Sequence, residues 1–248
     1  MKYLSQYFVR LFFKPKIKMR KYKQLFFDLD HTLWDFATNE RITLNQLYDS
    51  YNLKSHFSSF NEFYERYVPI NADLWALYRN WEIRKTDLNT GRFHNTFLTA
   101  GLDDVEMAEK FSLDFIRQNS LKTNVMPFTF DLLEYLKPHY TMHIITNGFI
   151  ETQKLKLEVS GLRPYFKNIF ISEEIGAQKP KIAFFEYAIK SSNAKKTESL
   201  VIGDSLEMDI LGAKNFGLDH VYYNPYSIPH KEKVFKEIKS LNELIGWL

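Results

Sequence analysis

Short apolar runs alternate with helical stretches along most of this chain, and each run stops at polar residues. Gln24-Leu25-Phe26-Phe27 ends at Asp28. The run beginning at Met142 ends at Thr146-Asn147-Gly148, the run 168–171 ends at Ser172, the run 199–203 ends at Asp204, and the run 220–223 ends at Asn224. Runs this short, bounded by polar residues, read as buried parallel strands. Between them the spacing predicts helices over Phe128–Leu136, Glu151–Val159, Lys181–Ile189 and Asp209–Asn215. Strand, helix, strand, helix implies an α/β fold with a parallel sheet and helices on both faces.

Residues 37–124 break the alternation. No buried-strand run stands out there. Helical spacing covers Arg41–Tyr51, Ser59–Tyr67, Asn71–Arg84 and Asp103–Gln118, with Gly91 and Gly101 as punctuation. The segment follows the first strand and precedes the second, so it reads as a helical insertion. Beside the ligand-binding edge of a sheet, such an insertion suggests a lid, hinged near Phe36–Asn39 and Asn124–Pro127.

The length of 248 residues suits one sizeable core plus a small inserted domain. The 22 phenylalanines point to a core built with rings, and to a ring-lined pocket as the second reading. Cysteine is absent, which excludes a disulfide framework, a thiolate nucleophile and a zinc-thiolate site, and fits a reducing, cytoplasmic location. The seven histidines show no close metal-ligand spacing and read as structural or exposed. Lys2, Arg10, Lys14, Lys16 and Lys18 turn a net charge of +3 into −2 for the rest, so the body is near neutral and a nucleic-acid polymer is not expected as partner. Residues 1–18 are too charged and too short to span a membrane. They read as a tail or a non-native extension before Met19; a membrane-surface helix built on Tyr3, Leu4, Tyr7, Phe8, Leu11 and Phe12 is the rival reading.

In an open α/β sheet ligands bind beyond the carboxyl ends of the strands. Asp28, Asp30, Thr146, Asn147 and Asp204 all follow strand ends and are expected to converge there. Each element taken alone is ordinary. Asp28-Leu29-Asp30 offers one carboxylate to attack phosphorus and one to move a proton, yet a lone pair of this kind is most often a solvated turn. Thr146-Asn147-Gly148 offers a hydroxyl and backbone amides to a phosphate, or is a plain strand-to-helix turn. Pro180 disfavours helical geometry at Lys179 and can turn its ammonium inward, although a surface lysine is the default. Asp204 and Asp209 in Gly203-Asp204-Ser205-Leu206-Glu207-Met208-Asp209 suit a hard cation such as magnesium, and Asp209 suits a helix N-terminus equally well.

The four elements together, in this order on this strand frame, resemble the haloacid dehalogenase superfamily from about residue 21 to the C-terminus. The resemblance implies a Rossmann-like core over 19–36 and 125–248 and a four-helix, C1-type cap over 37–124. It implies Asp28 as nucleophile, Asp30 as general acid/base, Thr146 as phosphate-binding hydroxyl and Lys179 as the stabilising lysine. It further implies a Mg2+ ion held by Asp28, the Asp30 carbonyl and Asp204, with Asp209 in support. The dehalogenase branch lacks the second aspartate, so Asp30 favours phosphorus over carbon as the centre attacked. A non-catalytic binding module is disfavoured because every expected position is filled.

The wording around Asp28 and the stretch 71–93 is similar to the YjjG-like pyrimidine 5′-nucleotidases, which implies a nucleoside monophosphate as substrate. A phosphatase of sugar phosphates or phosphoglycolate is the alternative. Trp34, Trp75, Tyr78 and Trp81 are candidates to stack on a base, or cap core. Arg84, Lys85 and Arg92 are candidates to meet substrate anions, or solvated helix charges.

Overall fold

The computed structural model describes residues 21–248, so the basic segment 1–18 lies outside the described residues. Six parallel strands form one sheet in the order β3-β2-β1-β4-β5-β6. They are β1 (Gln24–Phe27), β2 (Thr141–Thr146), β3 (Asn168–Ile171), β4 (Ser199–Gly203), β5 (Asp219–Tyr223) and β6 (Lys236–Ile238). The sequence reading found the first five. The sixth is a three-residue edge strand, Lys-Glu-Ile, whose charged residues hide it from a search for apolar runs.

The two-residue period of the strands sorts their side chains. Leu25 and Phe27 of β1 share one face with Ile144 and Ile202, under α5 (Thr129–Leu136) and α6 (Ile150–Val159). Phe26 points the other way with Ile145 and Val201, under α8 (Ile182–Ser191) and α9 (Gly212–Phe216), the single turn α7 (Ser172–Ile175) following β3 directly. Burial on both faces explains why β1 is an unbroken apolar run. Each such side chain contributes about 1.5–3 kcal/mol when fully buried.

Four helices form the insertion between β1 and α5: α1 (Phe36–Ser50), α2 (Phe60–Arg79), α3 (Lys85–Leu98) and α4 (Val105–Ser120). Side-chain caps start three of them: Asp35 accepts from Thr38 N, Ser59 from Glu62 N and Asp104 from Met107 N. Their number matches the sequence reading but their bounds do not. The two helices expected over Ser59–Tyr67 and Asn71–Arg84 are one helix, α2, running through Pro69. The segment around Gly91 is helix α3, with the glycine in its interior rather than at an end. Packing overrides local propensity at both places. The ring content goes here: Phe63, Tyr67, Phe93, Phe97, Phe111 and Phe115 fill the inter-helix space, and Tyr67 stacks on Phe93 with centroids 5.5 Å apart.

The chain crosses into and out of the insertion side by side. Trp34 and Val125 form an antiparallel bridge, Asp35 N donates to Asn124 O and Met126 N donates to Leu33 O. Helix α1 already begins at Phe36, so the expected hinge stretch Phe36–Asn39 is its first turn. Between β4 and β5 the helix expected from Asp209 begins earlier, as a π-helical turn over Leu206–Leu211 that leads into α9. Among the described residues no helix is long and apolar enough to cross a membrane.

Candidate active site

Asp28 follows β1 directly, and its N–H continues the ladder to Ile202 O at 2.9 Å, so the last pleat of the sheet sets its position. Thr146 is the last residue of β2, and Asp204 follows the last residue of β4. All three stand at one edge of the three central strands. Lys179 reaches the same place from the loop before α8. It is 2% exposed, and its ammonium donates to Asp28 Oδ1 at 2.6 Å, Asp209 Oδ1 at 2.7 Å and Ile145 O at 3.0 Å. Those three bonds use its three protons.

Asn147 fixes the loop that carries Lys179. Its Oδ1 accepts from Lys179 N and its Nδ2 donates to Lys179 O, both at 2.9 Å. Asn147, expected among the phosphate-binding residues, has its side chain engaged with the lysine backbone.

Asp28, Asp204 and Asp209 each offer a carboxylate oxygen within 4.8 Å of the others. Asp209 is brought close by the π-helical turn and by Gly203, where a Cβ would stand 2.4 Å from the Asp209 carboxyl. Its Oδ2 accepts from Ser205 N, and Asp204 Oδ1 accepts from Thr32 Oγ1 at 3.0 Å. Burial pushes Asp28 up to about 7 and outweighs the Lys179 ammonium that pulls it down; the Asp209 charge adds to the rise. Burial, then the charges of Asp28 and Asp209, push Asp204 well above the usual carboxylate range. One ammonium faces three carboxylates, an excess of negative charge that a low-dielectric site does not tolerate. The oxygen-only donor set and the missing positive charge fit a hard divalent cation.

Asp30 is held separately. Lys156 donates to its Oδ1 at 2.7 Å and Gln153 Nε2 to its Oδ2 at 2.8 Å. The same Gln153 nitrogen lies 2.6 Å from Thr146 Oγ1, which also accepts from Gly148 N at 3.1 Å. With both lone pairs engaged, the Thr146 hydroxyl has its proton left to donate. The sequence reading missed Gln153 and Lys156, and with them Thr32 and Ser205. A signal was present: Gln153 stands four residues before buried Leu157 on α6, so the period puts a polar residue on the inner face of the helix after Thr146-Asn147-Gly148.

A cavity of about 310 Å³ joins these groups to the insertion, which supplies Phe36, Asn71, Trp75, Arg79, Arg92 and Phe115. The aromatic and cationic candidates separate sharply. Trp34 is fully buried, donates its indole N–H to Lys122 O and lies under the Lys156 ammonium at 4.2 Å, so it is core. Trp81 is 60% exposed outside the cavity, and Arg84 pairs with Asp87 at the surface. Tyr78 packs edge-on against Phe149, which also stacks on Trp75 at 5.4 Å. Lys85 bridges to Glu151 and Glu173 of the sheet domain at 2.8 and 2.9 Å. Trp75 and Arg92 are the two of these candidates that line the cavity.

Comparison with known proteins agrees with this frame. The family model described as haloacid dehalogenase-like hydrolase matches residues 22–217. The chain is 35% identical over 233 residues to the pyrimidine 5′-nucleotidase PynA of Streptococcus pneumoniae, covering 92% of this chain and 95% of that protein. It is 31% identical over 227 residues to the pyrimidine 5′-nucleotidase YjjG of Escherichia coli, covering 90% and 96%. The solved structure of the HAD-hydrolase YfnB from Bacillus subtilis, bound to magnesium, superposes with a TM-score of 0.82 at 30% identity, over 92% of this chain and 99% of that one.

Proposed function

This chain belongs to the haloacid dehalogenase-like hydrolase family, and we propose that it is a magnesium-dependent 5′-nucleotidase that removes phosphate from pyrimidine nucleoside monophosphates through an aspartyl-phosphate on Asp28. The observation that carries the reading is Asp28 itself, fixed at the strand edge by a buried lysine and flanked by Asp204 and Asp209. The names of PynA and YjjG support the substrate class.

In this reading Asp28, the Asp30 carbonyl and Asp204 would hold the metal, with Asp209 in support. Magnesium there supplies charge neutralisation between the anionic ester and the attacking carboxylate. Lys179 holds Asp28 in its attacking position and adds a second positive charge. Thr146 donates its free hydroxyl proton to a phosphoryl oxygen. Asp28 forms a bond to phosphorus as the bond to the leaving oxygen breaks, and Asp30 delivers its proton to that oxygen. Water then attacks the phosphorus of the aspartyl-phosphate, Asp30 takes the water's proton, and inorganic phosphate leaves with Asp28 restored. Lys156 and Gln153 hold the Asp30 carboxylate so that it serves both steps from one place.

The test is phosphate release from nucleoside monophosphates and small sugar phosphates, with magnesium, with chelator, and with Asp28→Asn. The reading expects magnesium-dependent release that favours pyrimidine monophosphates and is lost in the variant. Preference for sugar phosphates would discard the substrate class and keep the chemistry.

A further inference from the structure

Arg92 on α3 is 4% exposed, yet it has no carboxylate partner among the described residues. Its Nε has no hydrogen-bond partner, and Nη2 makes one long contact of 3.4 Å to Asn89 Oδ1. The guanidinium lies 5.0 and 4.9 Å from the ring centres of Phe93 and Phe115. Glu40 is the carboxylate whose charge it steadies, but Glu40 is bonded instead to Tyr67 and Tyr64. A buried guanidinium with unmet donors is costly unless something else supplies an acceptor.

The same cavity carries the complementary defect. Asn71 Oδ1 is buried and has no donor. Both residues line the cavity that contains Asp28 and Asp30. Arg92 is tied to the Asp30 end of it through Lys156 and Glu40. Asp30 is the group that meets the leaving oxygen, Lys156 is bonded to Asp30, and Lys156 and Arg92 both act on Glu40. Trp75 and Phe115 add flat apolar surface to the same space.

We propose that Arg92 and Asn71 are the specificity-determining pair for the leaving group, Arg92 donating to a ring carbonyl of the base and Asn71 accepting from an adjacent ring N–H. A uracil-type edge presents that pairing of acceptor and donor on one planar ring. The inference rests on the nucleotidase reading and adds to it which residues recognise the base. The competing role for Arg92 is structural, as a counter-charge for buried Glu40.

The two roles separate in a ratio. Turnover of uridine 5′-monophosphate and ribose 5-phosphate is compared in wild type, Arg92→Met, Arg92→Lys and Asn71→Leu, with thermal unfolding of each. Arg92→Lys keeps a charge beside Glu40 and loses the planar fork. The expected result is a fall in the nucleotide-to-sugar ratio of kcat/KM of roughly tenfold or more in the arginine variants and in Asn71→Leu. An unchanged ratio in Arg92→Lys overturns the inference, whether or not both activities fall together, because a counter-charge role moves both substrates alike. Should Arg92→Met fail to fold, the lysine and leucine variants decide. A wild-type enzyme that prefers ribose 5-phosphate overturns the nucleotidase reading and this inference with it; a nucleotide preference that survives in the variants overturns this inference alone.

Discussion

The Lys179 ammonium stands 2.6 Å from Asp28 Oδ1, fully buried, and shares itself with Asp209. The pair sets both the chemistry and the stability of the site. Replacing Lys179 with Met leaves two buried carboxylates without their cation, a loss of about 3–5 kcal/mol when one partner of a buried pair is removed. Turnover falls on the order of 100-fold or more, and the unfolding midpoint drops. Calorimetry and steady-state kinetics on Lys179→Met check both.

The excess of negative charge at Asp28, Asp204 and Asp209 gives a prediction with opposite signs for stability and metal binding. Asp204→Asn removes a half-buried charge that has no cation of its own, so in chelator the variant unfolds at a higher temperature than wild type. Adding magnesium raises the wild-type midpoint and moves the variant much less. Thermal scans at several magnesium concentrations measure the two together.

The proton-transfer role proposed for Asp30 depends on Lys156 and Gln153, which hold its carboxylate. Lys156→Met lowers kcat for a nucleoside monophosphate about 10- to 100-fold, less than the roughly 100- to 10,000-fold that one general acid contributes, because Asp30 itself remains. p-Nitrophenyl phosphate, whose phenolate departs without a proton, loses less. Equal losses on the two esters would contradict the role given to Asp30.

His143 of β2 is buried between Phe26 and Phe170. Its Nε2 meets Gln24 Oε1 at 2.8 Å while Nδ1 has no partner, an arrangement that suits the neutral ring. Burial pushes it down to about 4 from an ordinary 6.5. Between those values the unfolded chain binds a proton that the folded chain does not, so stability falls as pH falls from about 6.5 to about 4. The loss is on the order of 2–3 kcal/mol. Denaturant titrations across that window, with His143→Gln for comparison, show a flatter pH dependence in the variant.

The parts legible in the sequence are those where one local rule decides. Leu25, Phe26 and Phe27 are buried on both faces, so β1 is a continuous apolar run that ends where Asp28 begins. The parts that were not legible depend on contacts between distant segments. Pro69 lies inside α2 because its neighbours pack against α3 and α4, and β6 is a strand because β5 offers it an edge. The π-helical turn at Leu206–Leu211 answers to Asp209 reaching Lys179, thirty residues away in sequence. In the site, Asp28, Asp204 and Lys179 follow from position after a strand or before a proline, whereas Gln153 and Lys156 become visible once α6 is seen to turn polar side chains inward. Trp34 and Arg84 carried attractive chemistry in sequence, and neither lines the cavity in the fold.

The account turns on a covalent bond between Asp28 and phosphorus. The most direct measurement is rapid acid quench of the enzyme turning over a phosphomonoester labelled at phosphorus, followed by mapping of any label retained on the protein. The account predicts an acid-stable, hydroxylamine-sensitive acyl phosphate on Asp28, formed with magnesium and absent in Asp28→Asn. Label on another residue, or sustained turnover by Asp28→Asn with no label on the protein, would contradict it.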